Sequence, residues 1–209
     1  MNGRGERTER SVTSPRVVIA LLTPVRWAPP GIDPGAWRAA LVEDVVDLVA
    51  TLGQVDAAIA ATAADRELAE SVAWPDMQVY EVTSATPTAA FELAAKDGYA
   101  EAAVLAGDVP DLPGLLVGKL LQPLSTRTLA AAPAHDGGLV GVATRLPAPG
   151  WLPEIDLDVT AVDDLQRASA RRTAVTATPG WHRQRGPVDL SRLDPALAGW
   201  AATRAVLGG

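Results

Sequence analysis

The feature that most constrains this chain is a repeated exchange between two hydrophobic periods. Short runs of branched and small apolar residues alternate with longer, punctuated segments of helical period. "RVVIALL" (Arg16–Leu22) reads as a buried strand. A helix follows, with Asp33 as its cap, Pro34 at its first position and Gly53 just past its end. Its apolar stripe is Trp37, Leu41, Val45, Leu48 and Leu52, with Glu43 and Asp47 pointing elsewhere. The pattern continues with strands at Asp56–Thr62 and Met77–Val82 around a short helix near Asp65–Val72. Thr86-Pro87 opens the next helix, Gly98 closes it, and Lys96 lies favourably near its C-terminal end. "EAAVLAG" (Glu101–Gly107) is a further strand and "PGLLVGKLL" (Pro113–Leu121) a short helix. Strands at Thr128–Pro133 and Gly138–Ala143 are joined by "AHDG". After a proline-rich loop at Pro147–Pro153 come a helix near Thr160–Arg172, a strand at Thr173–Thr178 and a helical C-terminus from about Pro195.

Strands alternating with helices predict a three-layer α/β/α sandwich around a mostly parallel sheet covered on both faces. In such sheets ligands bind beyond the carboxyl ends of the strands. Residues 15–209 are expected to form a single domain, with no internal repeat and no linker that splits them. Residues 1–14, "MNGRGERTERSVTS", are polar and mixed in charge and are read as a disordered tail with no signal peptide. The cytoplasm is the compartment expected from this. The net charge of −7 argues against broad nucleic-acid binding, which needs basic surface to neutralise phosphates. No apolar run is long enough to span a bilayer. The absence of cysteine excludes disulfides, thiolate catalysis and zinc–thiolate sites, and two histidines make a histidine-rich metal site unexpected. A metal here is expected on carboxylates, which suits Mg2+ or Mn2+.

Three stretches carry the chemistry. In "VLAGDVPDLP" (Val104–Pro113) the strand stops at Gly107 and delivers Asp108 to the ligand-binding edge. One carboxylate there suits a divalent cation that neutralises a di- or triphosphate. The competing reading is a turn residue, with Pro110 and Pro113 steering the chain and Asp111 as turn or cap. In "HDGG" (His135–Gly138) an Asp-Gly pair between strands signals a tight hairpin; the functional alternative is a glycine loop beside the ligand. In "GWHRQRGP" (Gly180–Pro187), Arg183 and Arg185 are placed to hold an anion, or are part of a solvated loop.

The order strand–"GDVPDLP"–helix–strand–"DGG"–strand resembles the GT-A-like, Rossmann-like nucleotidyltransferases and glycosyltransferases, including the guanylyltransferases of molybdenum cofactor and phospholactate metabolism. It is most similar to a bacterial family of glycosyltransferase-like proteins carrying G-x-D-x-P-x-L or G-D-x-P-x-L, then D-G-G, then a terminal D-x-D-T-P-x-D-L. The resemblance covers about Arg16 to Leu193. It implies a nucleotide or nucleotide-sugar ligand, a small-molecule acceptor and Mg2+ or Mn2+. Asp108 would bind the metal, Arg26 of "VRWAPP" and Gly107 would lie against the ligand, and Asp136, Gly137 and Gly138 would shape the acceptor side. The resemblance identifies no catalytic residue.

The sequence departs from that family in three places. The loop after the first strand lacks the family's glycine and both lysines. The motif G-D-L-G-x-R-M is missing; the chain runs "TSATPTAAFELAAKDGY" there. "TPGWHRQRGPVDLSRL" aligns without gaps on the terminal motif, matching Pro187, Asp189 and Leu190, but Arg183 and Arg185 replace its two metal-side aspartates. A rival placement puts that motif on "DLDVTAVDDL" (Asp156–Leu165), at the cost of insertions. Three readings follow: an active transferase; a relative that binds a ligand or partner without turnover, in one variant with the arginines in place of the metal; and a structural or partner-binding subunit, a homo-oligomer included, with Trp27 or Trp151 marking an interface.

Overall fold

The computed structural model describes residues 15–208; the tail expected at 1–14 lies outside them. The strands are β1 (Arg16–Leu21), β2 (Asp56–Ala61), β3 (Gln78–Glu81), β4 (Glu101–Ala106), β5 (Leu129–Pro133), β6 (Leu139–Arg145) and β7 (Val175–Ala177). They form one seven-stranded sheet in the order β3-β2-β1-β4-β6-β5-β7. Only β6 runs against its neighbours, β4 and β5; the other pairings are parallel. The helices are α1 (Pro34–Ala50), α2 (Arg66–Val72), α3 (Pro87–Lys96), α4 (Gly114–Leu121), α5 (Val162–Ala168), α6 (Pro187–Leu190) and α7 (Ala201–Val206).

Val17 to Leu21 of β1 are all fully buried. Successive strand side chains point to opposite faces, so both faces of the central sheet are covered. α1 and α3 both pack on β1. The three-layer sandwich is the one the alternation predicts. Among the described residues, no helix is long and apolar enough to cross a membrane.

The punctuation works as its chemistry dictates. Asp33 accepts a hydrogen bond from the Ala36 N–H (2.9 Å) and Pro34 stands at the first position of α1. Thr86 caps α3 in the same way, accepting from Ala89 N–H. Trp37 is fully buried, with the Trp27 ring set edge-on against it at 6.3 Å. Trp151 also packs against the core.

Three sequence-based boundaries need correction. The helix expected over Thr160–Arg172 is only Val162–Ala168. It starts where Asp164 accepts from the Ala161 N–H (2.9 Å) and stops at Ser169, whose backbone is extended and whose hydroxyl donates to Gln166 and Arg171 carbonyls. A 3-10 turn over Arg172–Ala174 then shortens the following strand to Val175–Ala177. The C-terminal helix begins at Ala201, not near Pro195, because Gly199 takes φ +100° and breaks the run. Asp44, buried in the middle of α1, secures that short helix by accepting from the N–H groups of Ala202 (2.9 Å) and Thr203 (2.8 Å). Burial raises the Asp44 carboxyl above its ordinary value.

The loop after β1 is tied down from α1. Arg38 donates to the Thr23 carbonyl (3.3 Å) and pairs with Asp65 at 2.6 Å. The Arg38 hydrogen bond holds the Asp65 carboxyl below the usual carboxylate range. A depressed acid stabilises the fold above its unfolded value, near pH 4, and loses that contribution as pH falls through the depressed folded value. The pair is partly solvated, so Asp65→Asn is expected to cost about 1 kcal/mol at neutral pH and progressively less as pH falls below about 4. Urea unfolding at neutral and at acid pH checks this.

Candidate functional site

The sheet register assembles one edge from distant parts of the chain. Leu21 pairs with Ala106, so β1 and β4 end level and deliver Thr23–Arg26 and Gly107–Asp108 side by side. β6 runs the other way, so its first residue, Leu139, lies at the same edge. β5 and β7 are parallel and lead into 134–138 and 178–185, where Ala134 pairs with Trp181. A fifth segment joins because Leu139 N–H donates to the Leu157 carbonyl (2.8 Å), which brings in Asp158.

A cleft of about 200 Å3 opens there, lined by Pro24, Arg26, Asp108, Asp158, Gln184 and Arg185, with Val159 at its mouth. Asp108 is only 3% exposed and Arg183 2% exposed. Arg183 Nε lies 2.6 Å from Asp108 Oδ1. Its Nη1 lies 3.0 Å from Asp158 Oδ1 and donates to the carbonyls of Leu157 (2.9 Å) and Leu139 (3.2 Å). The backbone adds a further tie, from Gln184 N–H to the Asp108 carbonyl (2.9 Å).

The other arginines face the cleft. Arg185 donates to the Gly137 carbonyl (3.0 Å) and approaches Asp158 at 3.4 Å. Burial, and then the charge of Arg183, lower its pKa below the ordinary arginine value. Its Nε is buried with no partner, as is Gln184 Oε1. Arg26 reaches Asp158 at 3.7 Å from a side chain that is 82% exposed. The cleft therefore has two guanidinium groups, Arg26 and Arg185, in its wall and a third, Arg183, buried behind its two carboxylates, and the unpartnered Arg185 Nε–H suits an anionic guest.

The structure brings together Arg26, Asp108 and Arg185 among the residues singled out from sequence. Arg183 points away from solvent, into the protein. Gly107 makes its close approach to backbone: a Cβ there would lie 2.9 Å from the Leu21 carbonyl oxygen. Asp136 is exposed on the β5–β6 hairpin and pairs with Arg192, which holds its carboxyl below the usual range. Gly137 and Gly138 both take positive φ in that hairpin. Asp189 is buried and fixes the loop by accepting from Arg185 N–H (3.0 Å).

Two site residues escape the sequence reading of the edge. Asp158 lies in the rival segment, and the Asp156 side chain fixes it by accepting the Asp158 N–H (2.8 Å). The D-x-D of "DLDVTAVDDL" is the signal that points to it. Asp111, read as a turn or cap, is buried and accepts from the Trp181 indole (3.1 Å), with His182 Nε2 3.0 Å away. His182 stacks on Trp181, the ring centroids 4.9 Å apart.

Among the described residues, no group of three or more His, Cys, Asp or Glu side chains is arranged to hold a metal ion. The two carboxylates nearest one another across the cleft, Asp108 and Asp158, are bridged by the Arg183 guanidinium. These donors do not fit a resident Mg2+ or Mn2+, because a cationic side chain already engages them.

No family model matches the sequence, and no curated protein matches it. Solved structures match its fold. A candidate nucleotide-diphospho-sugar transferase from Desulfovibrio desulfuricans G20 superposes with a TM-score of 0.67 at 20% identity, covering 94% of this chain and 96% of that one. The 4-diphosphocytidyl-2C-methyl-D-erythritol synthase of Anaerococcus prevotii DSM 20548 gives 0.56 at 11% identity, covering 92% and 95%. Glucosyl-3-phosphoglycerate synthase from Mycobacterium tuberculosis, solved with Mg2+ and UDP, gives 0.54 at 14% identity, covering 93% and 78%. The chain therefore has the GT-A-like fold of the nucleotide-diphospho-sugar transferases.

Proposed function

We propose that the protein binds a nucleotide or nucleotide-sugar in the cleft beyond β1 and β4. The observation that carries this reading is the convergence of Arg26 and Arg185 on one pocket at the ligand-binding edge. The fold supports it, since a protein of the same fold was solved with UDP. Arg185 and Arg26 contact the phosphates, Gln184 offers a buried amide oxygen, and the Asp136–Gly138 hairpin flanks the side where a small-molecule acceptor enters. If transfer occurs, these residues contribute by positioning and by neutralising developing charge.

A second reading, binding without transfer, is favoured by the Arg183–Asp108 pair. An aspartate whose oxygen is engaged by a buried guanidinium is poorly disposed to hold the metal of a transferase.

Calorimetric titration with UDP, CTP, GTP and UDP-glucose tests binding. At least one should bind, and Arg185→Ala should weaken it at least tenfold, the loss expected for one charge-assisted contact of about 1.5–3 kcal/mol. Arg26→Ala, at an exposed position, should weaken it only a few-fold. Absence of binding by every nucleotide, or an unchanged affinity in Arg185→Ala, overturns the reading. Release of sugar or pyrophosphate from a bound ligand separates transfer from binding alone.

A further inference from the structure

We propose that Arg183 is a tethered substitute for a divalent cation, occupying an oxygen cage of the kind that hard metal ions fill. Four oxygens engage its guanidinium: Asp158 Oδ1 (3.0 Å) and the main-chain oxygens of Leu157 (2.9 Å) and Leu139 (3.2 Å) gather around Nη1, and Asp108 Oδ1 (2.6 Å) lies against Nε. Carboxylates mixed with backbone carbonyls make the donor set of Ca2+, Mg2+ and Mn2+ sites. An ordinary ion pair needs one carboxylate on one segment. This cage is assembled from the end of β4, the start of β6 and the 157–158 turn, and the guanidinium reaches it from the segment after β7.

The substitution changes what the cleft needs from solution. Asp108 and Asp158 both line the cleft, and uncompensated they would repel a polyphosphate. Arg183 supplies a fixed positive charge between them, so an anion can approach Arg26 and Arg185 without a metal. This consequence rests on the binding reading; the cage does not, and it is testable in the ligand-free protein.

The test uses the full chain without nucleotide, read by Mn2+ electron paramagnetic resonance and by melting with Mn2+, Ca2+ or EDTA. Wild type should bind no Mn2+ in the cage, and its Tm should be indifferent to metal and chelator. Arg183→Ala should melt lower in EDTA and gain about 5 °C or more when Mn2+ stands a hundredfold above its Kd. Adding Asp158→Asn to that variant should abolish the gain. If Arg183→Ala does not fold in EDTA, refolding it in Mn2+ reads the same quantity: recovery of a cooperative melt supports the proposal, and no recovery overturns it. A folded Arg183→Ala that ignores both metals also overturns it. So does Mn2+ binding by wild type that Asp108→Asn removes. Because no nucleotide is present, failure here leaves the binding reading standing, and a failed nucleotide titration leaves the cage standing.

Discussion

Asp108→Ala is expected to destabilise the protein by about 3–5 kcal/mol, the usual cost of breaking a buried pair and leaving a charge behind. For a chain of this size that lowers Tm by about 8–15 °C. The cost is large because Arg183 stays in place, 2% exposed, with Asp158 as its remaining carboxylate. Removing both charges should be much milder. Asp108→Leu/Arg183→Met is expected to recover most of the loss, since apolar replacements of similar volume often match or exceed a buried ion pair in stability. Urea unfolding of the two variants measures both quantities. The outcome distinguishes two roles for an aspartate at the end of a central strand. One that waits in solvent for a metal contributes to activity and little to stability, and its alanine variant unfolds near wild type. One that is neutralised internally behaves as described here, and a loss below about 1 kcal/mol would exclude that role.

The same pair shows where sequence reasoning stops. Asp108 was legible because it depends on local pattern alone: an apolar run ends at Gly107, and parallel strands put ligands at that end. The sheet and its two covered faces were legible for the same reason. The direct pairing of Asp108 with Arg183 was not, because Arg183 lies 75 residues away and no periodicity links the two; only the resemblance put both on the metal side. Arg183 and Arg185 read as equivalent basic residues two positions apart, yet one is buried against Asp108 while the other lines the cleft. Asp158 was visible only as a rival D-x-D placement, since its role depends on the Leu139–Leu157 backbone pairing that draws the turn in. Asp44 interrupts an apolar stripe in α1 and would read as a solvent-facing acid; only the tertiary docking of α7 explains its burial. The ends of α5 and α7 were misplaced because a serine turn and a positive-φ glycine, respectively, override an otherwise permissive helical composition.

The hairpin glycines separate a turn requirement from a packing requirement. Gly137 has φ +95° and open space around the position of a Cβ, whereas Gly138 has φ +73° and a Cβ there would lie 2.3 Å from the Leu157 carbonyl oxygen and 2.6 Å from that of Asp158. Gly137→Ala therefore carries only the left-handed backbone penalty, about 1–2 kcal/mol. Gly138→Ala carries that penalty and must also push the 157–158 turn outward, for a total of about 3–4 kcal/mol. The displaced turn takes with it the Leu157 carbonyl that accepts from Leu139, Arg183 and Arg185, and the Asp158 carboxylate that faces all three cleft arginines. Thermal melts should therefore order the proteins as wild type, Gly137→Ala, Gly138→Ala. Nucleotide affinity should be retained in the first variant and lost at least tenfold in the second. Equal destabilisation by the two alanines, to within about 0.5 kcal/mol, would mean that the turn conformation alone is what these glycines provide. It would also mean that the site does not depend on the 157–158 segment lying against β6.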